Sequence, residues 1–183
     1  AVFARMLGRE SDALENESVM LGIAEKLNRD YWNGNEYRSP DYDDPHTDDR
    51  VQALAVISGI AAADKYPAIK DVLSREYNAT TYMFPYVLDA LFTMGEVQMA
   101  LDRMKKMYPT VMKDGCSTLY EHWNHTGSCN HAWTSGAIVP MFRQLAGVDA
   151  LEPGYRRFRL APQMGPLKKI NASFETKYGR IAV

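Results

Sequence analysis

An alternation between two kinds of helix constrains the fold of this sequence most. Over the first 148 residues, apolar side chains recur at steps of three and four, the period of an α-helix. Three stretches have one apolar stripe and one charged face, whereas the stretches that follow them are apolar or small on nearly every side: VQALAVISGIAAA, FPYVLDALFTMG and HAWTSGAIVPMF. A helix without a polar face is buried on most sides. The pattern therefore predicts a polar-faced helix, a loop and a buried helix, three times over.

Capping and breaking residues predict where the helices begin and end. Ser11 is placed to cap a helix that runs through Trp32, and Thr47 to cap one that starts at Asp48 and Asp49. A short helix is predicted at 67–75. In the next apolar stretch Pro85 suits a first helical turn and Gly95 a helix end. In the last helix Pro140 predicts a kink.

This alternation is what an αα-hairpin toroid requires, with amphipathic helices in the outer ring and apolar helices in the inner ring. Three hairpins make half of a six-hairpin ring. After Pro153 the sequence becomes strand-like, with turn signals at MGP and YGR. We therefore expect a mainly α fold: half of an (α/α)6 toroid over residues 1–150, then a few β-strands of an incomplete β-sandwich over 151–183. Because AVFARMLGR resembles the last turns of a helix, we expect a piece of a longer protein.

Composition excludes several classes of partner. The chain has 21 Lys and Arg against 23 Asp and Glu, so it lacks the basic surplus that holds nucleic acid or an anionic membrane. No stretch approaches the ~20 apolar residues of a membrane span. With 46% apolar residues the chain can form a core, and the expected partner is small or neutral. Half a ring would also leave apolar faces exposed, so self-association is expected of the isolated chain.

The stretch CSTLYEHWNHTGSCNHAW, residues 116–133, concentrates the chemistry. It holds three of the four histidines, both cysteines, two of the three tryptophans and one glutamate. Its spacings include no C-x2-C pair and no H-x3-H step, so a structural zinc site is not expected, and neither is a cofactor. A disulfide between Cys116 and Cys129 stays open at this stage, as do two free thiols. The remaining interpretation is the wall of a pocket.

Four motifs in order resemble the C-terminal half of family 78 glycoside hydrolases, the bacterial-type α-L-rhamnosidases. They are TLYEHW, SCNHAW opening a helix that ends in FRQLAG, PGYRRFRLAPQ, and ASFETKYGRI. The segments TDDRVQALAVISGI and TTYMFPYVLDALF are similar to inner helices of that family. The resemblance implies an (α/α)6 toroid followed by a β-sandwich, with the sugar pocket at the N-terminal ends of the inner helices, here near Asp48, Tyr82 and His131.

The resemblance also implies a chemistry, inversion at the anomeric carbon by two carboxyl groups about 6.5–9.5 Å apart. The family's T-x-W-E-x-W motif matches residues 118–123, with Tyr120 in place of the first Trp, and makes Glu121 the general base. Its S-x-N-H motif places His131 on the sugar. The further substrate-binding residues expected from the resemblance and its pocket are Trp123, Tyr120, Asn130 and Asp48. Only nine residues separate Glu121 from His131, a shorter loop than in relatives.

The general acid has no match in residues 1–183. The aspartates of DYDDPHTDD are explained by helix capping and a solvated loop, and Asp48 is retained only as a contact to a sugar hydroxyl. The resemblance thus implies a fragment of an inverting α-L-rhamnosidase, incomplete alone, whose expected partner is a rhamnose-containing glycan or glycoside. Two alternatives stay open: a non-catalytic carbohydrate-binding or scaffold module, and a six-hairpin glycosidase acting on another sugar.

Overall fold

The fold is described from a computed structural model, which covers residues 1–41, 46–112 and 115–183. The helices, in chain order, are α1 (Val2–Met6), α2 (Glu10–Asp30), α3 (Asp49–Ile57), α4 (Tyr66–Arg75), α5 (Phe84–Thr93), α6 (Val97–Met107) and α7 (Ile138–Pro140). The strands are β1 (Val148–Ala150), β2 (Phe158–Leu160), β3 (Ser173–Thr176) and β4 (Gly179–Ala182). A mainly α fold followed by a few strands is therefore confirmed.

The core lies between the buried helices. Helix α5 is packed on α3 and also against α6 and α7, and α4 is packed on α3. Six of the ten α5 residues are buried: Phe84, Val87, Leu88, Ala90, Leu91 and Phe92. Pro85 lies in the first turn, and Gly95 follows the last turn with a positive φ of 79°, as predicted. The apolar helix at 84–93 is thus buried on most faces.

Helix α2 differs from its prediction. It begins at Glu10 with Arg9 as N-cap, so Ser11 lies inside the helix and does not cap it, and it ends at Asp30, before Trp32. Its apolar stripe is exposed, including Leu14 and Ile23 at 56% and 53%. The C-terminal part alone is tied to the core by Asn28, whose amide donates to the carbonyl of Ile60 over 2.9 Å. Periodicity marked an apolar face, but no described element covers most of it.

A buried ion pair fixes the start of α3. The Arg103 Nη2 of α6 donates to Asp49 Oδ2 over 2.7 Å, and both side chains are fully buried, at 1% and 0% exposure. Asp49 Oδ1 also accepts the backbone N–H of Asn78 over 3.1 Å. The helix cap is Asp48, which accepts from the N–H of Arg50, and not Thr47 as predicted. The reason is geometric: Asp48 has the extended backbone of a cap and its carboxylate reaches the second N–H of the helix.

The last helical segment is irregular. Residues 132–137 form 3₁₀ turns, α7 spans three residues, and 141–145 form π turns that end with the Ala146 N–H donating to Met141 O. Pro140 has no N–H to give an α-helical bond, and the hydrogen-bonding pattern changes directly after it. The structure therefore shows a change of helix type at Pro140, and the kink predicted there stays a prediction.

The strands form two small antiparallel sheets. Strand β1 pairs with β2, with Asp149 opposite Arg159, and β3 pairs with β4, with Phe174 opposite Ile181. The second sheet packs against the last helical segment, because the Phe174 ring meets Phe142 with centroids 5.4 Å apart. Strand β1 begins before residue 151, so the strand-forming region starts slightly earlier than the domain boundary drawn from sequence. No helix of the described residues is long and apolar enough to cross a membrane.

Candidate active site

The loop that carries Glu121 has no regular secondary structure and is folded back on itself. The Glu121 N–H donates to the Ser128 carbonyl over 2.9 Å, and the Tyr120 N–H donates to the Val111 carbonyl over 3.1 Å. The Thr118 hydroxyl donates to the carbonyl of Cys129. These bonds bring the two ends of the loop together, so that residues ten apart in sequence share one site.

The two carboxylate oxygens of Glu121 have different surroundings. Oε2 accepts the backbone N–H of Ser128 over 3.0 Å and lies 3.2 Å from Nδ1 of His131. Oε1 lies 3.6 Å from Nε2 of His122, which is beyond direct hydrogen bonding. One oxygen is therefore held by the protein while the other keeps its capacity to accept a proton.

Electrostatics favour the ionised form of Glu121. The N–H of Ser128 is the main cause, and together with the nearby His131 and His122 it outweighs desolvation and holds the pKa of Glu121 below its usual range. The side chain is partly exposed, at 21%. A carboxylate with these partners is ionised over the whole neutral range, as a general base must be before it takes a proton from water.

Gly127 is a site residue that the sequence analysis did not identify. Its φ is +79°, and a Cβ on it would lie 2.6 Å from Oε2 and 2.8 Å from Cβ of Glu121. Only glycine permits this approach of the backbone to the carboxylate. The TGS sequence signals a turn, but it carries no sign that the turn lies against the glutamate.

Two buried threonines attach the loop to helix starts. The Thr81 hydroxyl, just before α5, donates to the backbone carbonyl of Glu121. The Thr134 hydroxyl donates to the carbonyl of Tyr120 over 2.8 Å, and Tyr108 in turn donates to the Thr134 carbonyl over the same distance. Both threonines were missed from sequence because their role depends on partners 14 to 40 residues away.

His131 lies between Glu121 and an aromatic surface. Its Nδ1 lies 2.7 Å from Oγ of Ser128 as well as near Glu121, so its ring is oriented from one side by two polar groups. The His131 ring also contacts the ring of Trp133. Their centroids are 3.7 Å apart and their planes are tilted by 33°. Trp133 is partly exposed and meets the edge of Tyr82 at 5.6 Å. This aromatic surface beside His131 was not among the predicted binding residues.

Trp123 and Tyr120 support the loop from behind. The Trp123 Nε1–H donates to the carbonyl of Ala79 over 2.8 Å, and its ring packs edge-on against Phe84 at 5.2 Å. Tyr120 is buried, and its ring stacks on His125 at 5.1 Å. The aromatic residues on either side of Glu121 thus anchor the loop to the core. Their predicted contact with substrate stays a prediction.

Asn130 and Asp48 occupy different positions relative to Glu121. Asn130 is exposed and directly precedes His131. Asp48 lines a larger cavity of about 840 Å³ together with Leu27, Tyr31 and Leu54. Burial alone would raise the pKa of Asp48, but the hydrogen bonds from Arg50 outweigh it and lower that pKa. Asp48 is therefore an ionised cap paired with Arg50, and the structure does not bring it into contact with Glu121.

A smaller cavity, of about 360 Å³, adjoins the loop that carries Glu121. Five of its six lining residues have polar side chains, although most of the exposed lining surface is carbon. The six residues are Thr80, Thr81, His122, Trp123, Asn124 and Thr126. It shares no lining residue with the cavity at Asp48. His122, whose Nε2 lies 3.6 Å from Oε1 of Glu121, is one of the residues that line this second cavity, and Glu121 itself is not.

The cysteines are free thiols. Cys116 and Cys129 are both exposed and are not bridged in the structure. Within residues 1–41, 46–112 and 115–183, no three His, Cys, Asp or Glu side chains are grouped closely enough to hold a metal ion. Asp43 and Asp44 of the acidic linker lie outside the described residues.

Fold and site together define a mainly helical chain that ends in small antiparallel sheets. Near the starts of its buried helices lies the Glu121 carboxylate, paired with His131. Residues 147–183 match the family model of the bacterial α-L-rhamnosidase C-terminal domain. The chain also superposes on the crystal structure of the family 78 rhamnosidase of Bacillus sp. GL1, with a TM-score of 0.74 and 22% sequence identity over 98% of this chain. The resemblance to family 78 enzymes is thereby confirmed, for the C-terminal residues by sequence and for the chain by fold.

The two chains differ greatly in length. The aligned region covers only 21% of the Bacillus rhamnosidase. No curated protein gave a match to the sequence. The activity of a whole enzyme therefore does not transfer to this chain by comparison and has to be argued from its site.

Proposed function

We propose that this chain forms part of an inverting α-L-rhamnosidase in which Glu121 is the general base. The observation that carries the proposal is the asymmetry of the Glu121 carboxylate, whose Oε2 is held by Ser128 and His131 while Oε1 keeps its accepting capacity. Support comes from the T-x-W-E-x-W match at residues 118–123 and from the rhamnosidase match at 147–183.

In the proposed reaction, Glu121 accepts a proton from water as the oxygen of that water bonds to the anomeric carbon. The glycosidic bond breaks on the opposite face, and the leaving oxygen takes a proton from a general acid. His131 holds a sugar hydroxyl through its remaining ring nitrogen, and Trp133 presents an apolar surface next to it. Tyr120, Trp123 and Asn130 complete the wall, and Asp48 remains the weaker sugar contact.

The general acid is proposed to come from outside these 183 residues. Inverting hydrolysis needs two carboxyl groups on opposite faces of the sugar, and one carboxylate cannot serve on both. The Bacillus rhamnosidase is about five times longer than the aligned region, which leaves ample chain for the missing half of a toroid. We call the longer protein that would contain this chain the parent protein.

The deciding experiment replaces Glu121 by Gln in the parent protein. Glutamine keeps the size of the side chain and its hydrogen bond from Ser128 but has almost no basicity. We expect kcat on an aryl α-L-rhamnoside to fall by roughly 10²–10⁴-fold with a much smaller change in KM. Azide should restore part of the turnover because it needs no deprotonation, and the product should have inverted stereochemistry. Glu175→Gln, on exposed strand β3, is the matched control.

The competing functions give different results in the same experiment. A non-catalytic carbohydrate-binding module predicts that the unmutated parent protein binds rhamnosides without turnover. A glycosidase for another sugar predicts that Glu121→Gln abolishes turnover of that sugar while rhamnosides stay inert. Near-normal kcat in the Gln variant would refute Glu121 as the base.

A further inference from the structure

Oε1 of Glu121 and Nε2 of His122 are near enough to each other to contact the same water molecule. Oε1 of Glu121 and Nε2 of His122 are 3.6 Å apart, too far for a direct hydrogen bond. At this separation one water molecule located beside the two atoms, off the line that joins them, can bond to both. Oε1 is also the carboxylate oxygen that the backbone of Ser128 leaves unoccupied.

The cavity next to His122 offers polar groups to a water molecule. This 360 Å³ cavity is lined by His122, three threonines and Asn124, with Trp123 as its only apolar ring. A cavity holds ordered water when it is roomy and offers two to four polar partners. One wall is fixed, because the Thr81 hydroxyl already donates to the Glu121 carbonyl.

Resting on the function proposed above, we propose that His122 is the second partner of the nucleophilic water and that this cavity delivers the water. Nε2 of His122 accepts one hydrogen of the water while Glu121 Oε1 accepts the other. A lone pair of the water oxygen then points away from both groups. When the C–O bond to the anomeric carbon forms, the proton facing Glu121 moves to Oε1 and the other hydrogen stays on the attacking oxygen.

The other titratable groups around the carboxylate have separate positions. His131 approaches Oε2 at 3.2 Å, on the opposite oxygen from His122. His125 is turned to Tyr120, on which its ring stacks. His122 also occupies a variable position of the T-x-W-E-x-W motif, so its role is argued from the geometry and not from the motif.

The test is steady-state kinetics on an aryl α-L-rhamnoside with four forms of the parent protein: unmutated, His122→Ala, Glu121→Gln and the double variant. We expect His122→Ala to lower kcat roughly 10- to 100-fold, the usual penalty for a misplaced reactant, with KM unchanged within about twofold. The double variant should be no slower than Glu121→Gln, because groups that act on one water molecule are not additive. His122→Gln, whose amide oxygen can accept the same hydrogen bond, should recover part of kcat.

His125→Asn is the matched control, since it removes a nearby exposed imidazole and asparagine tolerates the positive φ of 61° at that position. Melting temperatures within about 2 °C of the unmutated protein establish that each variant folds. The proposal is overturned if His122→Ala keeps the kcat of the control, if its effect multiplies with Glu121→Gln, or if KM rises while kcat holds. Loss of activity in Glu121→Gln with no effect at His122 removes this inference alone, whereas an inert parent protein removes the proposed function as well.

Discussion

Replacement of Gly127 by Ala tests whether the backbone at this position sets the place of the Glu121 carboxylate. The added Cβ would lie 2.6 Å from Oε2, 2.8 Å from Cβ and 3.0 Å from Cδ of Glu121. A change of rotamer cannot relieve all three contacts, because the Cβ of Glu121 is itself too close. The loop must open instead.

The size of the opening follows from the contacts. Ordinary contact begins at 3.4 Å, so Oε2 and the alanine Cβ must separate by about 0.8 Å. The bond from Ser128 N–H to Oε2 is 3.0 Å long and would be broken by a shift of this size. A misplacement near 1 Å costs a catalytic group about 10²-fold in rate. The positive φ adds about 1–2 kcal/mol of backbone strain in any L-residue other than Gly, Asn or Asp.

Gly115 provides the matched control. Its φ is +80°, nearly equal to that of Gly127, but a Cβ there would meet nothing within 4 Å. Gly115→Ala therefore carries the same backbone strain without the clash. We expect kcat of the parent protein on an aryl α-L-rhamnoside to fall about 10²-fold in Gly127→Ala and to stay within about twofold in Gly115→Ala. Equal kcat values in the two variants would show that close approach at Gly127 does not position the base.

Further outcomes are expected for pH dependence, stability and the isolated chain. Because the pKa of Glu121 is lowered, chiefly by the Ser128 N–H, the base stays ionised as pH falls to the usual Glu value of about 4.3, and the acid limb of kcat/KM should lie below it. An acid limb above about pH 4.3 would contradict the assignment of Glu121 as the base. Because His131 lowers the pKa of Glu121, His131→Ala should move the acid limb to higher pH. Asp49→Asn leaves Arg103 buried without its counter-charge and should lower the free energy of unfolding by about 3–5 kcal/mol in a denaturant titration, against little change for the exposed Asp102→Asn. The isolated 183-residue chain should self-associate through exposed residues such as Leu14 and Ile23 on α2, and a monodisperse monomer with sharp melting in light scattering and thermal unfolding would refute this. The isolated chain should also hydrolyse no rhamnoside, and turnover by the chain alone would refute that expectation.

Local sequence signals predicted helix ends well where the signal is a property of a single residue. Pro85 and Gly95 bracket α5 because a fixed φ and a positive φ are properties of single residues. The burial of the helix at 84–93 was predicted from its apolar residues, because the helix has no polar face to turn towards solvent. The same reasoning gave the wrong cap at Thr47, since Thr47 and Asp48 both can cap and only the course of the preceding chain decides between them.

Contacts between distant residues account for what the sequence did not predict. The stripe of α2 was correctly identified as apolar, but periodicity cannot say which element covers it, and most of it is exposed. Likewise, motif similarity placed Glu121 and His131 in one site, and the structure brings them to 3.2 Å. Gly127 and Thr81 belong to that site only through tertiary approach, and neither carries a local signal for it.

The position of Glu121, the proposed base, is set by contacts to the helical segments although the residue itself lies on a loop. The Glu121 carbonyl is held by Thr81 at the start of α5, and the neighbouring Tyr120 carbonyl by Thr134 in the segment after the loop. Trp123 packs against Phe84 of α5 and donates to Ala79, so the chain after Glu121 is fixed at the start of α5 and the chain before it at Thr134. The side chain is then oriented within the loop by Ser128. A loop fixed at its backbone in this way can present a carboxylate with one satisfied and one available oxygen, which is the arrangement that activation of a single water molecule requires.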